Sequence, residues 1–254
     1  MNKIFSSFTS IKLCEYSLLL PHETRLHTNL SSDENHDVSS NHLLIHQQFA
    51  YHIQEYSQKL AVILDDQSLT YAELLSMSQF GACHLKSEYH VNVGDIVAQC
   101  MERSIEMVSQ SDCSHSYCLC VCNDFYLKVI GILSILMCGG SYCPLSPDQP
   151  PARLHSLIEQ VQAKCILIHS KTDGLLSWKT VEINQIVSVS NENVWSDDVH
   201  MPMSSIAYVI FTSGSTGTPK VVPITHKNFA VCMNGLAYSS IMLTNDIVIQ
   251  TTPV

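Results

Sequence analysis

Residues 206–220 read IAYVIFTSGSTGTPK, and the rest of the chain is organised around them. From Ala207 to Phe211 the run is β-branched, aromatic and apolar, the composition of a strand buried on both faces. The character then changes abruptly. Thr212, Ser213, Ser215, Thr216 and Thr218 supply hydroxyls, Gly214 and Gly217 supply backbone freedom, and Lys220 closes the run with a positive charge. No carboxylate intervenes. Such a loop can turn backbone N–H groups and hydroxyl donors toward one point, where a mobile ammonium adds charge. Chemically it is an anion cradle, and a polyphosphate suits it best. Loops rich in Ser, Thr and Gly also occur as plain solvated turns, so composition alone leaves both readings open.

The spacing excludes one common alternative. Counting from Gly214, Pro219 stands where a P-loop of the form G-x-x-x-x-G-K-[ST] requires its second glycine. Val221-Val222-Pro223-Ile224 follows Lys220 and reads as extended chain, so the loop is expected to join two strands, not to open a helix.

The run YVIFTSGSTGTPK resembles the phosphate-binding signature of the adenylate-forming enzymes, which include amino-acid adenylation domains, acyl-CoA synthetases and luciferases. In that superfamily a carboxylate attacks the α-phosphorus of ATP and gives an acyl-adenylate and pyrophosphate. Carried over residue by residue, the resemblance implies that ATP is held by Thr212, Ser213, Gly214, Ser215, Thr216, Gly217, Thr218 and Lys220. Hydroxyls and N–H groups of residues 212–216 would hold the β- and γ-phosphates, the glycines would let backbone approach them closely, and Lys220 would offset charge developing on pyrophosphate. The family carries Gly after this Lys; Val221 stands there, and crowding of the loop is expected. No catalytic residue and no metal ligand is assigned within the chain. Mg²⁺ and the phosphopantetheine of a partner carrier domain are cofactors by resemblance alone.

Composition agrees with a globular piece. The chain has 254 residues, 46% hydrophobic and 14% charged, enough for a sizeable core. A net charge of −10, from 13 Lys and Arg against 23 Asp and Glu, argues against non-specific nucleic-acid binding. No signal peptide is legible in residues 1–20, where Lys12 and Glu15 interrupt the apolar residues. Asn123, Asp124 and Lys128 break the one stretch, residues 117–140, that approaches membrane-span length. The eleven cysteines therefore read as reduced thiols of a cytoplasmic protein.

Residues 1–40 read as a linker or N-terminal extension, with a polar run Ser31-Ser32-Asp33-Glu34-Asn35-His36-Asp37. Within them, residues 16–26, YSLLLPHETRL, resemble the connector that precedes adenylation domains in nonribosomal peptide synthetases. From Asn41 the pattern is regular. Leu43, Leu44, Phe49, Ile53 and Tyr56 fall near helical spacing, residues 60–64 form an apolar strand, and residues 65–68 a turn. Thr70 and Glu73 make a capping box, and Leu74, Met77, Gly81 and Leu85 give the next helix its buried stripe. A strand is expected at residues 96–98.

After Met101-Glu102-Arg103-Ser104-Ile105-Glu106-Met107 the family pattern is interrupted by residues 108–128, and the paired Gly139-Gly140 come late. Three readings are open. Cys113, His115, Cys118, Cys120 and Cys122 are soft metal ligands, but C-x₄-C-x-C-x-C lacks the C-x₂-C pairs of zinc sites. The block can be a genuine surface loop. Or it is a retained intron, since excising it joins residues 105–107 to residues 129–138 as one apolar helix from a Ser104 cap to the Gly139 stop.

Beyond the glycines, Ser141 to Pro147 resembles the glycine–tyrosine–proline motif of amino-acid adenylation domains, with Ser146 where those carry Asp. Pro151 suits a first helical turn, Leu154, Leu157, Ile158 and Val161 make the buried face, and residues 165–168 are a strand. Residues 171–203 read as loop. Thr225 is a helix cap ahead of His226, which reads as structural. Alternation of strand and helix indicates an α/β fold with a parallel sheet. By resemblance, residues 41–254 are the N-terminal portion of the large domain of the adenylate-forming fold, with mixed, largely parallel sheets and flanking helices, truncated. The expected function is that of a fragment of an ATP-dependent ligase activating a small carboxylate or amino acid. It would work beside carrier and condensation domains, without nucleic acid or membrane, and be inactive alone. The alternatives are an acyl- or aryl-CoA ligase fragment and a non-catalytic relative that binds nucleotide.

Overall fold

The computed structural model describes residues 43–64, 67–101, 124–169, 172, 174, 177–188, 199–213 and 219–238, all within the compact unit Leu43–Val254. In chain order they form α1 (Ile45–Tyr56), β1 (Leu60–Leu64), β2 (Gln67–Thr70), α2 (Tyr71–Ser87), β3 (Ile96–Cys100), α3 (Asp124–Met137) and β4 (Ser141–Leu145). Then come α4 (Pro151–Val161), β5 (Cys165–Ile168), β6 (Thr180–Glu182), α5 (Ile183–Ser188), β7 (Ile206–Thr212), β8 (Lys220–Thr225) and α6 (His226–Tyr238).

Six strands make one sheet in the order β6-β5-β3-β4-β7-β8. Every adjacent pair is parallel except β7–β8, which is antiparallel. Side-chain alternation sorts the central strands onto two cores. Val97, Tyr142, Cys165 and Leu167 face a cluster with Leu74, Leu85, Ile130 and Ile135 of α2 and α3. Ala98, Cys100, Cys143, Leu145, Ile166 and Ile168 face Leu154, Leu157, Ile158 and Val161 of α4. Strands covered on both faces have no polar side, which is why the residues of β5 are apolar and buried throughout. Strand β7 is the exception. Ala207 and Val209 are buried, but Tyr208, Ile210 and Phe211 are half-buried, so the expectation of burial on both faces holds for only one of them. Tyr208 meets the Phe229 ring edge-on at 6.5 Å, and β8 is partly exposed on the far side.

Local chemistry sets the helix ends. Glu73 N–H donates to Thr70 Oγ1 at 3.2 Å and Thr70 N–H returns to Glu73 Oε2 at 2.8 Å, the expected capping box. These bonds hold the Glu73 carboxyl below its ordinary range. Helix α3 ends in a left-handed Gly139 (φ +87) with Gly140 N–H donating to Ile135 O at 2.9 Å, a turn that orphan carbonyls favour and glycine permits. Helices α2 and α3 touch closely: a Cβ on Gly81 would land on Ser134 Oγ and 3.0 Å from its Cβ. Ser78 and Ala82 are buried beside Gly81, although the sequence stripe did not include them.

Several expectations need correction. Leu43 and Leu44 precede α1 instead of riding on it, with Leu44 at the cap and buried. The turn expected at residues 65–68 is shorter, because Gln67 already pairs with Leu64 in the β1–β2 hairpin. The loop expected over residues 171–203 contains β6 and α5, held because Val181, Ile183 and Ile186 are buried in the α2–α3 core. Helix α3 opens at Asp124, inside the interrupting block, and Leu127 is 2% exposed. Gln99 Nε2 donates to Lys128 O at 3.1 Å and lies where a Cβ on Gly131 would go, fixing α3 on β3. The Ser104 cap and the residues Cys113, His115, Cys118, Cys120 and Cys122 lie outside the described residues.

His226 begins α6 and is fully buried. Thr225 caps the helix as expected, accepting from Asn228 N–H at 3.1 Å. The Nδ1 atom of His226 accepts the Ile45 N–H at 3.3 Å, joining α6 to α1, and the His46 ring lies 6.0 Å away. Accepting at Nδ1 places the proton of the neutral ring on Nε2. Burial lowers the His226 pKa to about 4, so the folded state binds its proton later than the unfolded chain does. Stability is therefore complete above about pH 6.5 and falls as pH drops toward 4. A shift of this size corresponds to at most about 3 kcal/mol. Urea denaturation from pH 7.5 to 4 is expected to show this loss, and His226→Gln, which keeps the acceptor, to flatten it. An unchanged pH profile in the variant would contradict the assignment.

Candidate functional site

The expected ATP-binding residues lie at the turn between β7 and β8. Parallel β3, β4, β5 and β7 direct their carboxyl ends to one edge of the sheet, the edge where open α/β sheets bind ligands. Thr212 and Ser213 leave β7 there, and Lys220 enters β8. The two strands pair as Ile210↔Val222, Phe211↔Val221 and Thr212↔Lys220, so the neck of the loop is a closed antiparallel ladder. Thr212 Oγ1 donates to Lys220 O at 3.5 Å across it. The loop thus joins two strands, as Val221-Val222-Pro223-Ile224 implied.

Thr212, Ser213 and Lys220 are all exposed, so their hydroxyls and ammonium are open to a ligand. Gly214, Ser215, Thr216, Gly217 and Thr218 lie outside the described residues. Two hydroxyls and one cation at a strand end have the chemistry to hold a triphosphate. Sequence reasoning missed Gln160: from α4 its Nε2 donates to Pro219 O at 2.9 Å. Nothing in the residue's own neighbourhood could have signalled a partner on another element.

The residues that Val221 was expected to crowd, 214–218, lie outside the described residues. The Val221 side chain packs, with Phe211, on the α4-facing core. Ser146 follows β4 and donates from Oγ to Asp148 Oδ2 at 3.3 Å, so a carboxylate stands two residues beyond the position where the resemblance expects one. Among the described residues no group of three His, Cys, Asp or Glu is placed to hold a metal ion. Burial pushes the thiols of Cys143 and Cys165 up to about 12 and that of Cys138 to about 11, so these three are protonated packing groups at neutral pH. No described helix is long and apolar enough to cross a membrane.

Known proteins are similar to this chain in sequence and in fold. Gramicidin S synthase 2 of Brevibacillus brevis is 30% identical over 184 residues, which cover 72% of this chain and 4% of that protein. Nonribosomal peptide synthetase SIDD of Beauveria bassiana is 35% identical over 179 residues, 68% of this chain and 8% of that protein. The chain thus spans a small part of the curated relatives it matches. Among solved structures, the Klebsiella oxytoca NpsA N-terminal subdomain in complex with 3-hydroxybenzoyl-AMSN superposes with a TM-score of 0.60 at 20% identity. The match covers 74% of this chain and 42% of that one. The fold is therefore that of the N-terminal subdomain of adenylation domains, in part. The sequence profile described as AMP-binding enzyme matches residues 126–254, half of the chain, and the chain belongs to that family.

Proposed function

We propose that this chain carries the ATP-phosphate-binding part of an amino-acid adenylation domain of the nonribosomal peptide synthetase kind. The observation that carries the reading is the exposed Thr212, Ser213 and Lys220 at the closed neck of the β7–β8 loop, on the carboxyl edge of the parallel strands. The names of the relatives, synthetases of peptide products, support it.

In the proposed reaction a substrate carboxylate oxygen bonds to the α-phosphorus of ATP, and the bond from that phosphorus to the bridging oxygen of pyrophosphate breaks. An acyl-adenylate and pyrophosphate result. ATP, as its Mg²⁺ complex, supplies the leaving group. The chain's residues hold and neutralise: the hydroxyls of Thr212 and Ser213 donate to the β- and γ-phosphate oxygens, with Gly214, Ser215, Thr216, Gly217 and Thr218 completing the cradle. Lys220 places its ammonium against charge that grows on pyrophosphate, an interaction stronger in the transition state than in the ground state. The acyl group then passes to the thiol of phosphopantetheine on a carrier domain, releasing AMP. The proposed setting is cytoplasmic, where ATP is available and the described cysteines stay free.

We infer a retained intron as the source of the block expected at residues 108–128, whose last three residues, 126–128, already fall within the family match. The block stands between residues 105–107 and most of the helix that ends at the Gly139 stop, and its last five residues, 124–128, are the first residues of that helix. Sequencing the mature transcript is expected to yield a message without those codons; finding them in every mature message overturns the inference.

The reaction is tested by ATP–pyrophosphate exchange on the complete gene product with a panel of amino acids and aryl acids. One or a few amino acids are expected to stimulate exchange, and Lys220→Ala to lower kcat/KM for ATP by about a hundredfold. Exchange that no acid stimulates, or a Lys220→Ala variant as active as the parent, would overturn the reading. Acyl transfer to coenzyme A in preference to a carrier thiol would move the protein to the acyl-CoA ligases.

A further inference from the structure

We propose that Gln160 is a positioning residue that fixes the exit of the phosphate loop and thereby aims Lys220. The proposal rests on the phosphate-binding reading given above and adds to it a residue from another element. Three constraints meet within two residues of chain. The Pro219 ring locks its own φ. The Pro219 carbonyl accepts from Gln160 Nε2 at 2.9 Å, which holds the peptide plane between Pro219 and Lys220. Lys220 itself is paired with Thr212 across the hairpin, and Val221 with Phe211. With the planes on either side of its Cα held, Lys220 has little left to vary but its side-chain rotamers.

The donor stands on a fixed base. Leu157, Ile158 and Val161, on either side of Gln160 in α4, are buried against the sheet. The helix closes just beyond, where Gln162 adopts a left-handed conformation (φ 52) and Ala163 N–H donates to Ile158 O at 3.2 Å. Phe211 and Val221 pack on the same apolar cluster as α4. Gln160 and the loop neck are therefore two exposed features on one shared core, and a single hydrogen bond couples them. Such a bond costs little when MgATP is absent. When the triphosphate arrives, it removes the need to order the loop exit, which is how preorganisation raises affinity.

The test compares Gln160→Glu, which is isosteric and puts an acceptor where the donor was, with Gln160→His, whose Nε2 can donate from nearly the same place. Three quantities are read on the full chain: MgATP affinity, the rate of tryptic cleavage after Lys220, and the thermal midpoint. Gln160→Glu is expected to weaken MgATP and speed cleavage after Lys220, each roughly 2- to 10-fold, the range of a typical hydrogen bond, with no change in midpoint. Gln160→His is expected to restore both. Parental cleavage and affinity in Gln160→Glu, or equal impairment in both variants, overturns the role of Gln160 alone. Failure of the unmutated chain to bind MgATP overturns the phosphate reading itself, and is visible before any variant is made.

Discussion

Strands β3, β4 and β5 have no solvent face. Val97, Tyr142 and Leu167 lie under α2 and α3, while Ala98, Cys143 and Ile166 lie under α4. Each fully buried aliphatic side chain contributes about 1.5–3 kcal/mol, so any arrangement that uncovered one face would lose most of what holds the sheet. Parallel strands are joined by crossovers whose helices cover both faces, and parallel strands deliver all their carboxyl ends to one edge. The position of the candidate site is a consequence of that burial.

At β7 the chain departs from this rule in a useful way. The strand enters parallel to β4 and is then answered by β8 running back against it. A hairpin needs no crossover, so its loop can be short, polar and held at both ends by one ladder. The same departure explains the weaker burial of β7: α6 covers one side through Phe229, and the outer strand β8 remains partly exposed. The candidate loop therefore springs from the least covered strand of the parallel set.

How much of this was legible in the sequence follows from what each residue's signal depends on. Periodicity and local capping depend on near neighbours, so the parallel α/β class, the Thr70–Glu73 box, the Pro151 start and the Gly139 stop could all be read. The turn between β7 and β8 could be read because an apolar strand, a hydroxyl- and glycine-rich run and a second extended run follow one another directly; that the run suits a phosphate came from its resemblance to a known signature, since composition alone fits a solvated turn as well. Elements stabilised by distant packing could not be read. Strand β6 and helix α5 are short, and Val181, Ile183 and Ile186 gain their order from a core assembled by α2 and α3. Gln160 is an exposed polar residue on a helix, indistinguishable in sequence from a solvated one; only the fold brings Pro219 to it. The packing of Val221 is likewise invisible in sequence, since its neighbour across the hairpin, Phe211, shares the core face it occupies.

The buried polar groups divide by the same logic. His226 faces Ile45 N–H and the His46 ring, which makes it a tie between helices α1 and α6. The buried cysteines are small apolar filling. Among the described residues at the carboxyl end of β7 and the start of β8, Thr212, Ser213 and Lys220 are open to solvent. The most direct measurement is hydrogen exchange of the chain with and without MgATP, resolved to residues 212–222. The account expects slowed exchange confined to this segment and lost in Lys220→Ala; nucleotide binding that leaves these amides unchanged, or protects them equally in the variant, would contradict it.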